Sequence, residues 1–284
     1  MNHQIHPDTS IGTVSLRINN LEHSIAFYSN ALGFDINQVE GSHATLGVGD
    51  RDIIFLTESA GAPQASGMTG LYHFAILVPS RLELAKSLRQ LATSKITVQG
   101  FADHLVSEAI YLSDPDGNGI EIYRDRPRSE WTFRQGQLQM DTLPLDLDSL
   151  MSELESDPQP WTGLADGTRI GHIHLKVASV DDAESFYTNV LGFDLMTRYG
   201  PSAGFVSAGG YHHHIGFNTW GSLGAPPPPL GTIGLRWFSL ELPNGQALDH
   251  LLEMIHKAQV ETENRPEGVF VSDPSGNRIL LQVI

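Results

Sequence analysis

Cysteine is absent from the 284 residues. That excludes disulfides and thiolate metal sites, so any metal must be held by nitrogen and oxygen. Long apolar runs are missing too. No stretch approaches the roughly 18 residues of a membrane span, and the N-terminus Met1-Asn-His-Gln-Ile-His-Pro-Asp8 lacks the basic-then-apolar order of a signal peptide. The chain is therefore expected in the cytoplasm, with no membrane partner. Positive charge is scarce: 17 Lys+Arg stand against 33 Asp+Glu, a formal charge of -16. Such a surface repels polyanions, which argues against nucleic acid and leaves small molecules as the expected ligands. What is present is a globular composition, 40% hydrophobic and 18% charged, on a chain long enough for two domains.

The pattern along the chain is a repeat. Residues 11–18 read as a strand. Asn19-Asn20 then offers an N-cap to a helix with Leu21, Ile25, Tyr28 and Leu32 at helical spacing, closed by Gly33. Strands expected at 34–39, 44–48 and 52–57 complete a βαβββ module. After a connector over 59–70 rich in Gly, Ala, Pro and Ser, the pattern restarts at Leu71-Tyr-His-Phe-Ala-Ile-Leu-Val78. A helix over 82–92 follows, then strands at 97–101, 109–113 and 119–124, with Asp114-Pro-Asp-Gly-Asn118 as the last turn.

Residues 125–169 lack sustained periodicity and read as a connector with a short helix near 147–154. The first module then recurs at a constant offset of 159. Gly12, Phe27, Tyr28, Asn30, Leu32, Gly33, Phe34 and Asp35 return as Gly171, Phe186, Tyr187, Asn189, Leu191, Gly192, Phe193 and Asp194. Asp273-Pro-Ser-Gly-Asn277 likewise follows Asp114 by 159. The chain is an internal duplication. One pair of modules spans 9–124 (9–58 and 71–124), and a second spans 170–284 (170–220 and 233–284), on either side of the connector. The third helix carries a capping box, Ser179 with Asp182. The fourth module is expected to run as a strand from 234 to 242, a helix near 246–257 and strands within 269–283.

Two segments ending in Phe-Tyr-x-Asn-x-Leu-Gly-Phe, and Asp-Pro-x-Gly-Asn turns in alternate modules, resemble the vicinal oxygen chelate (glyoxalase/bleomycin resistance/extradiol dioxygenase) superfamily. The resemblance covers nearly everything outside the connectors. It is greatest toward the catechol 2,3-dioxygenase branch, through Gly70-Leu-Tyr-His-Phe-Ala-Ile76 and Gly209-Gly-Tyr-His-His-His-Ile-Gly216. It implies an α+β fold of four βαβββ modules forming two glyoxalase-like barrels, with metal ligands on the first and last strands of modules.

The duplication supplies a control for the residues involved. First-strand positions read Thr13, His73, His172 and Trp237 in modules one to four, and Glu121 corresponds in module four to Leu280. Taken singly, His73 reads as a hydrogen-bonded strand histidine and Glu121 as a solvated strand residue. Taken together, His73, Glu121 and His172 form the two-histidine, one-carboxylate set of a non-haem Fe(II) oxygenase, while the other modules hold Thr, Trp and Leu. Fe(II), with Mn(II) as the variant, is the expected cofactor. An aromatic diol and O2 are the expected substrates, and the sequence leaves a homo-oligomer open. In the common extradiol arrangement the ligands fall in modules three and four. Here they fall in modules two and three, so these two must share one barrel, and modules one and four the other.

The resemblance further assigns an acid-base histidine to the stretch His212-His-His-Ile-Gly-Phe217, expected on the last strand of module three. His213 fits best, with His212 and His214 one residue away on either side. An imidazole suits the task because its pKa lies near neutrality. Tyr111, three residues before Asp114, matches a tyrosine that hydrogen-bonds a substrate oxygen; alone it reads as a packed strand residue. His104 resembles a second pocket histidine, and alone it reads as a loop residue. The expected reaction is extradiol ring cleavage giving a semialdehyde. The competing readings are a glyoxalase-like isomerase or lyase, with one of His212, His213 and His214 as a fourth metal ligand, and a non-catalytic module that binds small aromatics.

Overall fold

On the first strand, β1 (Ser10–Ile18), Val14, Leu16 and Ile18 are fully buried on one side, and Thr13, Ser15 and Arg17 lie on the other. This period of two recurs through a computed structural model that describes residues 4–134, 137–157, 159 and 161–284. Module one continues with α1 (Leu21–Ala26), β2 (Asp35–Glu40), β3 (His43–Val48) and β4 (Arg51–Glu58). Module two is β5 (Gly70–Leu77), α2 (Arg81–Thr93), β6 (Gly100–Asp103), β7 (Ser107–Ser113) and β8 (Gly119–Asp125). The connector contains a two-residue hairpin, β9 (Phe133–Arg134) and β10 (Gln137–Leu138), and α3 (Leu147–Ser152). Module three is β11 (Arg169–Lys176), α4 (Val180–Ser185), β12 (Asp194–Tyr199), β13 (Ala203–Ser207) and β14 (Ile215–Asn218). Module four is β15 (Gly234–Leu242), α5 (Gly245–Lys257), β16 (Thr262–Arg265), β17 (Gly268–Ser272) and β18 (Arg278–Val283).

Helix starts are encoded locally. Asn20, Ser80, Asp146, Ser179 and Asn244 each accept a hydrogen bond from the backbone N–H three residues on, which satisfies a donor the helix cannot pair itself. α1 and α4 both widen into π-helical turns, Phe27–Ala31 and Phe186–Val190. Gly33 then leaves with φ +85°, and a Cβ there would lie 2.4 Å from the Trp161 ring, so both the backbone angle and the packing require glycine.

Hydrogen bonding orders the strands as two eight-stranded sheets, β16-β17-β18-β15-β1-β4-β3-β2 and β12-β13-β14-β11-β5-β8-β7-β6. The fold is α+β, with four βαβββ modules. Modules two and three supply one sheet and modules one and four the other, the pairing that the distribution of ligand-type residues demands.

Contacts divide the chain into two compact units. In the unit formed by residues 4–17, 62–72 and 171–284, α4 packs on β13 and β14, with Tyr187 stacked on Phe217 at 5.7 Å, and α5 packs on β15 and β18. In the unit formed by residues 18–61 and 73–170, α1 packs on β3 and β4, and α2 on β8 and α3. Each unit has the same brace. Tyr28 donates to Asp114 Oδ2 at 2.8 Å in one, and Tyr187 to Asp273 Oδ2 at 3.0 Å in the other. Burial pushes both aspartates up, against the hydrogen bonds from Asn118 and Tyr28, or Asn277 and Tyr187, that pull them down. No helix among the described residues is long and apolar enough to cross a membrane.

Three local expectations need correction. β6 starts at Gly100 rather than near 97. α2 ends in a tight exit with Lys95 at φ 56° and Ile96 N–H bonded back to Leu91 O, which uses up the residues before the strand. The hairpin β9–β10 and strand β16 were not anticipated, because they are short and, at 262–265, exposed throughout. His212, His213 and His214 precede β14 instead of lying on it. Of the sequence readings, Met1–His3 in the N-terminus and Gln135, Gly136, Pro158 and Pro160 in the connector lie outside the described residues.

Candidate metal centre

On β5, Phe74 and Ile76 are fully buried on one face, and His73, Ala75 and Leu77 occupy the other. β8 alternates in the same sense, with Ile120 and Ile122 against Glu121 and Tyr123. The parallel register sets His73 beside Gly119 and Ala75 beside Glu121, so the imidazole and the carboxylate are diagonal neighbours on one face. His73 Nε2 lies 3.0 Å from Glu121 Oε2. Ala75, Leu77, Ala109 and Tyr123 form an apolar floor against which Tyr111 packs. The Tyr111 ring stands 5.7 Å from that of His73. Its hydroxyl is 2.6 Å from His104 Nε2, while His104 Nδ1 is 2.8 Å from the Asp141 carbonyl. A carbonyl only accepts, so Nδ1 carries the proton and the neutral Nε2 accepts the tyrosine O–H. His104 thus reaches the site through Tyr111.

β11 repeats the arrangement. Ile173 and Leu175 are fully buried on one face, and His172, His174 and Lys176 line the other. The His213 ring lies 4.1 Å from that of His172, and His212 lies 6.0 Å away. His212 Nδ1 and His213 Nδ1 are 2.8 Å apart and share one proton. His214 is held differently. Its Nδ1 faces Ser207 Oγ at 3.1 Å and accepts from the Ala208 N–H at 3.2 Å, which fixes it as a structural acceptor.

Ligand-type atoms of His73, Glu121 and His172 all lie within 4.8 Å of one another, and the three residues are only 7%, 2% and 2% exposed. Bonds of about 2.0–2.2 Å to one ion put adjacent donor atoms about 3 Å apart and opposite ones slightly over 4 Å apart. The observed spacing therefore suits a single ion, and neutral imidazoles with one carboxylate suit a divalent one.

Sequence reasoning missed His174, Asn218, Tyr72, Trp220 and Lys176. Asn218 Nδ2 donates to His174 Nε2 at 3.0 Å, and the His174 ring is surrounded by Tyr72, Phe205 and Trp220 at 5.0, 5.4 and 5.7 Å. Tyr72 and Trp220 remain substantially exposed. Lys176 is half-buried, and burial alone pulls its ammonium below the ordinary lysine value. The alternation His172, His174, Lys176 was the signal available for two of these residues; the rest needed the sheet register.

The Glyoxalase/Bleomycin resistance protein/Dioxygenase superfamily model matches residues 10–122 and again 169–281. A catechol-2,3-dioxygenase of Bacillus subtilis (strain 168) is 44% identical over 286 residues, covering 99% of both chains. Among solved structures, a provisionally assigned dioxygenase of Bacillus subtilis subsp. subtilis str. 168 superposes with TM-score 0.65 at 14% identity, over 99% of this chain and 86% of that one. Glyoxalase I from Zea mays superposes with TM-score 0.57 at 14% identity, over 96% and 92%. At such identities the two structures speak for the fold alone. The double match of the family model and the full-length 44% identity speak for more: this chain belongs to the Glyoxalase/Bleomycin resistance protein/Dioxygenase superfamily.

Proposed function

We propose that this protein cleaves the ring of a catechol-type diol next to its two hydroxyl groups, using O2 and one Fe(II), or Mn(II), held by His73, Glu121 and His172. It is an enzyme of the catechol 2,3-dioxygenase type, which the full-length identity to the Bacillus subtilis enzyme supports. The observation that carries the reading is the buried cluster of two imidazoles and one carboxylate with donor atoms within 4.8 Å. When bound, the metal supplies the positive charge that favours the ionised diol and the redox partner that O2 requires.

The remaining steps belong to the side chains. His213 shares the proton between its Nδ1 and that of His212. With that proton on its own Nδ1, Nε2 is left as the base that removes a diol proton and later returns it. The Tyr111 hydroxyl, its proton held by His104 Nε2, accepts a hydrogen bond from a substrate hydroxyl. The apolar floor of Ala75, Leu77, Ala109 and Tyr123 excludes water from beneath the ring. Both atoms of O2 enter the product, one in the new carboxylate and one in the aldehyde, while the second diol oxygen stays as the enol. Aromatic breakdown in the cell is the setting this chemistry suits.

The test is direct. Protein reconstituted anaerobically with Fe(II) and mixed with catechol in air should turn yellow and take up one O2 per catechol consumed. Metal-dependent isomerisation without oxygen uptake would replace this reading with the glyoxalase-like one.

A further inference from the structure

β1 and β15 pair antiparallel with a shift of register: Ser15 lies opposite Trp237, and Leu16 opposite Leu235. Arg236 is the extra residue of this bulge, and a bulge re-aims the side chain it carries. Arg236 Nη1 donates to Ser15 Oγ at 3.4 Å. Arg17 lies two residues along β1 on the same face as Ser15. Arg278 opens β18, one residue before the Ile279 that pairs with Phe238 of β15. It stands over the Phe270 ring at 4.6 Å, and Phe270 meets Trp237 edge-on at 6.0 Å.

Three guanidinium groups thus gather on one face of β1, β15 and β18. Burial, and after it Arg17 and Arg278, pushes the half-buried Arg236 below the ordinary arginine value; Glu267 acts weakly in the other direction. Arg278 donates to Glu263 Oε2 at 2.6 Å, but Glu263 is shared with Arg265. Arg17 Nε is buried and finds no hydrogen-bond acceptor among the described residues. A buried donor left unpaired costs stability, as does crowding like charges. The chain carries 33 carboxylate side chains, so an acceptor for Arg17 would have been cheap to supply from within.

We propose that Arg17, Arg236 and Arg278, with the Ser15 hydroxyl beside them, bind a small oxyanion, a phosphate or a carboxylate. Guanidinium forks match the paired oxygens of either group. The duplication gives the site its logic: Thr13, Ser15 and Arg17 stand 159 residues before His172, His174 and Lys176. The face that holds candidate metal ligands in module three holds a cationic mouth in module one. This site involves no metal and stands whether or not the ring-cleavage reading does.

The test titrates the full-length protein with sodium phosphate, and separately with sodium benzoate, against sodium chloride at matched ionic strength, by calorimetry and by Tm. Saturable binding of at least one is expected, and the tighter of the two identifies the oxyanion as phosphate or carboxylate. Arg17→Gln and Arg236→Gln should each weaken it at least tenfold. Without added anion, Arg17→Gln should melt at or above the wild-type Tm, because a repelling charge is gone; an arginine that merely held the sheet together would give a lower Tm. If either glutamine variant does not fold, Arg17→Lys takes its place, since it keeps the charge but has no Nε donor, and it should bind more weakly than wild type. No saturable effect beyond chloride, or undiminished binding in the variants, overturns the proposal.

Discussion

Glu121 is the one carboxylate in the candidate triad, so its removal should be felt first in metal content. Glu121→Ala protein, folded by circular dichroism, is expected to retain well under one metal per chain by atomic absorption; stoichiometric metal would refute its role as a ligand. His213 should behave in the opposite way. It adjoins His172 without belonging to the cluster, and His213→Ala should keep its metal while kcat falls by roughly 10²–10⁴, the range for a general acid-base group. Loss of the metal instead would make His213 a ligand. Tyr111 and His104 form one unit through their 2.6 Å contact. Tyr111→Phe and His104→Ala should therefore combine non-additively in kcat/KM, and strict additivity would separate them. The candidate triad stood out in the sequence because the duplication set equivalent positions side by side and only two modules held ligand types, whereas Tyr111, His104 and His213 came forward only through the resemblance. The choice within His212-His-His214 could not be read in the same way, because these residues precede β14 without a strand's alternation to say which ring turns toward which side.

At the scale of the element, the turns at Asp114 and Asp273 anchor the tyrosines of the preceding helices. Burial raises Asp114 despite donors from Asn118 and Tyr28. A carboxyl with a raised folded-state pKa binds its proton more tightly when folded. Its contribution to stability is complete below the unfolded value of about 3.9 and is lost as pH rises through the folded value. Asp114→Asn cannot titrate. It should be less stable than wild type by about 1–3 kcal/mol at pH 4, since its single amide oxygen cannot replace both carboxylate oxygens, one accepting from the Asp116 and Asn118 backbone N–H groups and the other from Tyr28 and the Asn118 side chain, and the gap should narrow toward pH 7. Urea unfolding at several pH values measures this, and a gap that widens with pH contradicts it. The caps, the glycine exits and the period of two made the elements legible. The start of β6 and the bulge at Arg236 were not, because each depends on how the neighbouring strand or helix end is satisfied.

At the scale of the molecule, the strand order places β5 beside β11 and β1 beside β15, so each sheet draws on both halves of the sequence. A fragment ending at residue 168 carries His73 and Glu121 but not His172. Expressed apart, residues 4–168 and 169–284 should each fail to bind Fe(II) or Mn(II), and should leave strand edges that promote aggregation. Co-expression should restore one metal per pair. Metal held by the first fragment alone would exclude His172 from the site.

The other face of the duplication has a dynamic consequence. At the positions of His172, His73 and Glu121, module one has Thr13 and module four has Trp237 and Leu280. Thr13 settles its polar groups locally, its N–H donating to Ser239 Oγ at 2.7 Å and its hydroxyl lying 3.0 Å from the same oxygen, while Trp237 and Leu280 bury apolar surface. Among the described residues, that sheet holds no cluster of metal ligands for a metal ion to complete. Chelation should therefore act unevenly in amide hydrogen exchange: the amides of β5, β8 and β11 open, while those of β1, β15 and β18 keep their protection.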